Sequence, residues 1–282
     1  MKKGLVLEGG AMRGLFTAGV IDVMMENNIE YDGAIGVSAG ATFGCNYKSK
    51  QIGRVFRYNL NFAHDPRFAS LQSLIKTGDL YGADFCYHRI PDEFDPMDYE
   101  TYRNNPMEFY VVCTNAQTGK AEYFLLDKMD EKQIRIMRAS ASMPVVSNTV
   151  EIDGIPYLDG GIADSIPIRA FENLGYDRNV VVLTRPLYYR KKTGASMKLI
   201  KPLLKDQPKV MEALENRADV YNQTLDYIKV KEMKKEIFVI RPEYSLHIGK
   251  VEHDTSKIQE AYVQGREVMS KQIDALKEFL NQ

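Results

Sequence analysis

Two stretches near the start of the chain decide its fold. The first reads Gly4-Leu5-Val6-Leu7-Glu8-Gly9-Gly10-Ala11-Met12-Arg13-Gly14, and the second reads Ala34-Ile35-Gly36-Val37-Ser38-Ala39-Gly40. In each stretch a short apolar run, typical of a buried strand, stops at a turn and is followed by residues that suit a helix. The repeated order of strand, turn and helix predicts an α/β fold with three layers, in which a mainly parallel sheet lies between helices.

The second turn has the pattern of a nucleophile elbow. Ser38 stands directly after the predicted strand, with Gly36 and Gly40 two residues to either side. A serine at a sharp strand-to-helix turn has a strained backbone, and the two glycines remove side chains that would clash there. The turn also places the serine at a helix N-terminus, where backbone N–H groups stabilise negative charge.

The first glycine turn has two interpretations. It follows a strand and opens a helix, as in a dinucleotide-binding fingerprint, and Glu30 and Asp32 lie near the distance expected for a ribose-binding acid. However, Ala11 stands where that fingerprint needs its second glycine, and the chain contains no P-loop motif. The other interpretation is an oxyanion hole built from backbone N–H groups. We favour the oxyanion hole because Ser38 follows so closely.

A third motif, Asp159-Gly160-Gly161, ends a predicted strand. Such a sequence alone is most often a turn. It gains weight here because a serine nucleophile needs a base, and a strand would deliver this aspartate to the active edge of the sheet.

The three motifs, taken in this order, resemble those of the patatin-like phospholipases. The resemblance covers residues 4–185 and extends to Arg138-Ala139-Ser140-Ala141-Ser142-Met143-Pro144. It implies that Ser38 is the nucleophile and that Asp159 takes its proton. It also implies an oxyanion hole formed by the backbone of Gly9, Gly10, Ala11 and Met12, with Arg13 at the family's basic position, and structural roles for the motif glycines Gly14, Gly36, Gly40, Gly160 and Gly161.

One residue departs from the family pattern. The family usually has a third glycine where this chain has Ala11. Alanine keeps the N–H group but resists a positive φ, at a cost of about 1 kcal/mol if the turn demands one.

The resemblance implies hydrolysis of lipid acyl esters, of phospholipase A, lysophospholipase or carboxylesterase type, through an acyl-serine intermediate and without cofactor or metal. Two alternatives remain open. One is a catalytically weak protein that binds lipid or acyl groups. The other is a Ser-His-Asp esterase using His247 or His253, which follow Asp159 in the chain.

The division of the chain is predicted as a catalytic core over residues 1–185 and a C-terminal helical extension over 186–282, packed on the same domain. Turn-forming residues interrupt residues 60–106, which are therefore expected to form an irregular insertion or lid. Its aromatic side chains either line an acyl pocket or pack the insertion onto the sheet: Phe56, Tyr58, Phe62, Phe68, Tyr81, Phe85, Tyr87 and Phe94.

Composition excludes some classes of function. Lys and Arg number 37 against 38 Asp and Glu, so no basic excess points to nucleic acid. Cys45, Cys86 and Cys113 are far apart, which predicts reduced core thiols in a cytoplasmic protein. A basic stretch suggests either contact with anionic lipid at the inner face of the membrane or a solvated charged surface. It comprises Arg185, Arg190, Lys191, Lys192, Lys198, Lys201 and Lys205.

Overall fold

An eight-stranded mixed sheet forms the centre of the protein in the computed structural model, which describes residues 1–194 and 200–281. Its strands are β1 Lys2–Leu7, β2 Gly33–Val37, β3 Glu108–Asn115, β4 Ala121–Leu125, β5 Val150–Ile152, β6 Ile155–Asp159, β7 Tyr176–Val182 and β8 Ile237–Ile240. They follow the order β5-β6-β3-β2-β1-β7-β8, with β4 also paired to β3. The five strands from β3 to β8 in this order are parallel, whereas β4, β5 and β6 form antiparallel pairs.

Helices cover both faces of the sheet. They are α1 Gly14–Glu26, α2 Ala39–Lys48, α3 Arg54–Asn61, α4 Leu71–Thr77, α5 Tyr99–Asn104, α6 Glu131–Ser140, α7 Ile168–Asn173, α8 Pro208–Met233 and α9 Thr255–Asn281. Leu5 and Leu7 of β1 share a core with α1, α2 and α9, whereas Val6 joins a core with α7 and α8. Because successive residues of a central strand are buried on opposite faces of the sheet, its sequence is a continuous apolar run. The predicted three-layer α/β fold is confirmed.

Residues 60–106 are more regular than predicted. They contain α4, α5 and a π-helical segment, Phe85–Phe94, which includes Pro91. The turn-forming residues mark the ends of these short helices and do not disrupt them. Ser70 and Asp98 cap two helix N-termini, and Gly78 ends α4 at φ +81°. The insertion thus contains short helices that the sequence did not predict, because side-chain caps and aromatic packing stabilise helices too short to be recognised from periodicity. Its identity as an insertion or lid stays a prediction.

The C-terminal part is joined to the rest of the protein by both sheet and helix. Strand β8 extends the sheet by pairing with β7, so this part is not wholly helical. Helix α9 lies so close to α1 that a Cβ at Gly265 would stand 2.0 Å from the carbonyl oxygen of Phe16. The division at residue 185 stays a prediction. Across residues 1–194 and 200–281, no helix has the length and apolar character needed to cross a membrane.

Candidate active site

Ser38 lies at a sharp turn between β2 and α2. Its backbone has φ +54° and ψ −121°, a strained conformation for a residue with a side chain. The chain doubles back so tightly that a Cβ at Gly36 would lie 2.5 Å from the carbonyl oxygen of Gly40. A Cβ at Gly40 would lie 2.4 Å from the carbonyl oxygen of Leu7. The two glycines therefore make the turn possible, as the elbow pattern requires.

Ser140, for which the sequence predicted no role, holds this turn in place. The hydroxyl of Ser140, fully buried at the end of α6, accepts a hydrogen bond from the N–H of Ser38 at 3.0 Å. The same hydroxyl donates to the carbonyl of Val112 at 2.6 Å. Ser140 thus ties the elbow to β3. The only signal in the sequence was its place in the family-like segment 138–144.

Strand register brings Asp159 to Ser38. Val37 pairs with Val112, and the next residue of β3, Cys113, pairs with Asp159 across the antiparallel strand β6. Ser38 and Asp159 therefore lie on either side of β3 at the same level. The Ser38 hydroxyl is close enough to Asp159 to favour the charged form of its carboxyl group.

The carboxyl group of Asp159 is buried, with the residue only 2% exposed. Burial raises its pKa above the ordinary value, because the charged form loses its hydration. Arg217, the Ser38 hydroxyl and the N–H of Gly161, which donates to Oδ1 at 2.7 Å, act in the opposite direction and only partly offset the effect of burial. The result is a more basic carboxylate than an exposed aspartate, held in one orientation.

The first glycine turn contains a helical turn over Ala11–Arg13, and Ala11 has φ +48°. The turn therefore does require the positive φ that alanine resists. The N–H of Gly9 donates to Ser165 and that of Arg13 donates to Gly10. The N–H groups of Gly9 and Arg13 therefore already have acceptors, whereas their predicted place in the oxyanion hole stays a prediction.

Three other residues of that turn have backbone N–H groups that could donate a hydrogen bond to an oxyanion. Ala11 and Met12 begin the helical turn, and the first N–H groups of a helix have no acceptor within it. Gly10 immediately precedes them and packs against Thr184 so closely that a Cβ would lie 2.9 Å from its Oγ1. The candidate oxyanion donors are thus Gly10, Ala11 and Met12.

The acids of the dinucleotide interpretation are engaged elsewhere. Asp32 accepts a hydrogen bond from the backbone N–H of Lys3 at 2.6 Å, and Glu30 forms an exposed ion pair with Lys50 at 3.6 Å. The first contact joins β1 to the loop before β2, and the second lies at the surface. A ribose-binding role has no support in these positions.

A cavity of about 420 Å³ opens at Ser38 and Asp159, within the size range of small-molecule sites. Its lining is mainly apolar, with Ala11 and Met12 at the turn. The aromatic side chains of the insertion divide between the two predicted roles. Four line the cavity: Tyr58, Phe68, Tyr81 and Tyr87. The others pack, since Phe56 stacks on Tyr262 while Phe62, Phe85 and Phe94 contact one another.

The histidines of the chain, including His247 and His253 of the alternative triad, lie outside this cavity. None of His64, His88, His247 and His253, all in the described part of the chain, lines the cavity of Ser38. His247 is exposed, and the ring of His253 contacts the carbonyl of Ala63. Among residues 1–194 and 200–281, no group of three or more His, Cys, Asp or Glu side chains could hold a metal ion.

The basic stretch does not form one continuous charged surface. Arg190 pairs with Asp226, and Lys201 pairs with Glu215. Lys191 turns inward, where burial first and then the neighbouring Arg217 lower its pKa to about 7. Lys198 lies outside the described residues. Sequence reasoning missed the inward position of Lys191, which depends on its contact with α8.

The chain belongs to the patatin-like phospholipase family, whose sequence model matches residues 5–172. This confirms the resemblance and makes the protein a hydrolase of ester bonds, with lipids as the class of substrate. A second model, a domain of unknown function (DUF6363), matches residues 207–281.

Two relatives and one solved structure are similar to this chain. The uncharacterized protein YjjU of Escherichia coli is 28% identical over 93% of this chain and 74% of its own length. A lysophospholipase, nte1, of Emericella nidulans is 28% identical over 62% of this chain, which spans only 11% of that protein. The structure of VipD from Legionella pneumophila aligns with 97% of this chain and 67% of its own at a TM-score of 0.47 and 14% identity.

Proposed function

We propose that this protein hydrolyses acyl esters of lipids with a Ser38–Asp159 dyad. The observation that carries the proposal is their meeting at one end of an apolar cavity, with a strained serine and a buried, basic carboxylate. The absence of a histidine from the lining of this cavity, within the described residues, supports a dyad over a triad.

The reaction begins when the Ser38 hydroxyl attacks the ester carbonyl and gives its proton to Asp159. The N–H groups of Gly10, Ala11 and Met12 stabilise the resulting oxyanion, together with the N-terminus of α2. Collapse expels the alcohol, which takes the proton from Asp159. Water then loses a proton to Asp159, attacks the acyl-serine and releases the fatty acid, and Ser38 recovers its proton.

The favoured substrates are phospholipids or lysophospholipids. The fungal relative is a lysophospholipase, which supports this choice, and the apolar cavity suits an acyl chain. A lipid-binding protein without turnover is the second candidate. The strained Ala11 is the observation that favours it, because a distorted turn weakens the oxyanion hole.

We also propose that the protein takes its substrate from a membrane surface. Leu71 and Ile75 of α4 are 72% and 84% exposed, and Leu80 and Tyr81, just beyond this helix, line the cavity. Apolar side chains at the mouth of a lipid site would insert into the lipid interface. Replacing Leu71 and Ile75 by serine should reduce binding to neutral vesicles. Unchanged binding would show that these two side chains do not form the membrane-binding surface.

The decisive experiment compares wild type, Ser38→Ala and Asp159→Asn on a short-chain chromogenic ester, with folding checked by circular dichroism. We expect both variants to lose about a thousandfold or more in kcat. Asp164→Asn is the matched control, because Asp164 is also an aspartate with a raised pKa but lies outside the cavity. Full turnover by folded Asp159→Asn would reject the dyad. A wild type that neither hydrolyses esters nor reacts with a fluorophosphonate at Ser38 would favour the lipid-binding candidate.

A further inference from the structure

Basic side chains gather beside Asp159, and most come from beyond the family-matched segment. Arg217 of α8 donates from Nε to the carbonyl of Gly161, next to the Asp159 carboxylate. Lys191 lies close enough to Arg217, Arg13 and Arg185 to be repelled by all three. Lys250 lines the mouth of the cavity and is also repelled by Arg217 and Arg13. We call Arg13, Arg185, Lys191, Arg217 and Lys250 the cationic cluster.

The cationic cluster has too few negative partners. Within residues 1–194 and 200–281, no carboxylate forms an ion pair with any of its five members at 4.0 Å or less. The Nε atom of Arg13 is buried and has no hydrogen-bond partner. Glu8 attracts Arg13 and Lys191, and Asp159 attracts Lys250. Glu8 already accepts hydrogen bonds from Thr184 and Tyr221. Five basic side chains therefore gather around these two carboxylates.

Such an arrangement costs free energy unless something negative joins it. Partly buried like charges repel one another, and each has lost part of its hydration. The strain is visible at Lys191, where burial and Arg217 lower the pKa to about 7. It is visible also at Arg13, whose pKa is lowered by burial and by Arg185.

The cluster is nevertheless held firmly in place. The N–H of Lys191 donates to the Asn222 side chain at 2.9 Å, and the Asn222 amide donates back to the Lys191 carbonyl at 2.9 Å. Its ammonium lies 4.1 Å from the ring centre of Tyr221, one turn of α8 beyond Arg217. Helix α8 thus fixes both Lys191 and Arg217 beside the dyad, although their charges repel.

We propose that the cationic cluster is a subsite for the phosphate group of a lipid, positioned so that the ester carbonyl reaches Ser38 while the acyl chain fills the apolar cavity. The proposal rests on the proposed function. Donors from several directions suit the free oxygens of a phosphate better than the two oxygens of a carboxylate, and guanidinium and ammonium groups are both common phosphate ligands. A lysophospholipid has its phosphate only a few bonds from its ester, which matches the closeness of Arg217 to Asp159.

The test is equilibrium binding to the Ser38→Ala protein, so that turnover cannot interfere. Lysophosphatidic acid is compared with the monoacylglycerol of the same short acyl chain, both below their micelle-forming concentrations. We expect the phosphate to improve affinity about tenfold or more, the contribution of one charge-assisted hydrogen bond network. Lys191→Met should remove most of that advantage without changing monoacylglycerol binding. Arg217→Met should also remove the advantage of the phosphate, and Arg217→Lys should restore part of it. Lys192→Met, an exposed neighbour, is the matched control.

Equal affinity for the two lipids, or an advantage that survives Lys191→Met, would overturn the proposal. Inorganic phosphate distinguishes the source of the anion. If it binds through Lys191 while lysophosphatidic acid gains nothing over monoacylglycerol, the site serves free phosphate and the head-group assignment fails. Parallel assays of wild-type turnover separate the two hypotheses: a phosphate preference in binding without hydrolysis of either lipid would support the subsite and reject the proposed function.

Discussion

Ser140 connects the backbone of Ser38 to strand β3: its hydroxyl accepts from the Ser38 N–H and donates to the carbonyl of Val112. The elbow is thereby fixed by a side chain from α6, a hundred residues away in sequence. Strain in the backbone of Ser38 persists only because its surroundings hold it, so we expect Ser140 to matter for both stability and catalysis.

Ser140→Ala leaves the N–H of Ser38 without this acceptor. We expect the free energy of unfolding to fall by about 1–2 kcal/mol and kcat to fall about tenfold, with KM nearly unchanged. Urea unfolding and ester kinetics measure both effects. Ser49→Ala is the control, because Ser49 is also a buried serine at the end of a helix, its hydroxyl bonds only to Asn46 and Gln51, and it does not line the cavity. An unchanged kcat in Ser140→Ala would show that the turn at Ser38 keeps its conformation without this hydrogen bond.

The elbow glycines should tolerate no side chain. Gly40→Ala forces a Cβ to 2.4 Å from the carbonyl of Leu7, so we expect about 2–3 kcal/mol of destabilisation and a large loss of activity. Gly154→Ala provides the comparison. Gly154 has φ +80° but open space around it, and only the conformational cost of about 1 kcal/mol applies. The difference between the urea unfolding midpoints of the two variants measures the contribution of the steric clash alone. Equal effects would contradict the tight approach of α2 to β1.

Ala11 offers a test of the oxyanion turn. Because its φ is +48°, Ala11→Gly should relieve strain and leave kcat within a few-fold of wild type or above it. Ala11→Val should lower kcat about tenfold, since a β-branched residue resists this conformation and its side chain would enter the cavity. Kinetics on a short-chain ester, with thermal unfolding as a check, compare the two. Full activity in folded Ala11→Val would remove this turn from the oxyanion hole.

The raised pKa of Asp159 predicts a pH-dependent stability change with a definite sign. Its folded-state pKa lies above the unfolded value, so the ionised carboxylate costs stability at neutral and higher pH. That cost vanishes as the pH falls below the unfolded pKa of about 3.9, where both states are protonated. Asp159→Asn should therefore raise the free energy of unfolding at about pH 8, by about 1.4 kcal/mol for each unit of pKa shift, and the gain should shrink towards pH 4.

Denaturant unfolding at several pH values measures this gain. Asp98→Asn is the control of opposite character, because hydrogen bonds from Thr101 lower the pKa of Asp98 and its replacement should give no gain at any pH. A stability gain for Asp159→Asn that did not depend on pH would show that the carboxylate is not the source of the cost.

The sequence by itself determined the local structural motifs, namely the strands, the turns and the nucleophile elbow. Apolar runs ending at Gly9, Ser38 and Asp159 determined the strands and turns, because strand and elbow patterns depend on residues close together in the chain. Glycines two residues from Ser38 predicted the elbow, and the structure places them where any Cβ would clash. The resemblance to the family gave the pairing of Ser38 with Asp159, which spacing alone did not contain.

Only the tertiary structure decided which groups face one another across the fold. Register, not sequence distance, sets Ser38 and Asp159 on either side of Cys113. The N–H of Gly9 finds its acceptor, the carbonyl of Ser165, only after the loop that follows Asp159 has packed. The cationic cluster forms because α8 returns Arg217 to the glycine turn after Asp159 and draws Lys191 inward. Long-range contacts of this kind depend on how helices and strands pack, and no local pattern of residues encodes them.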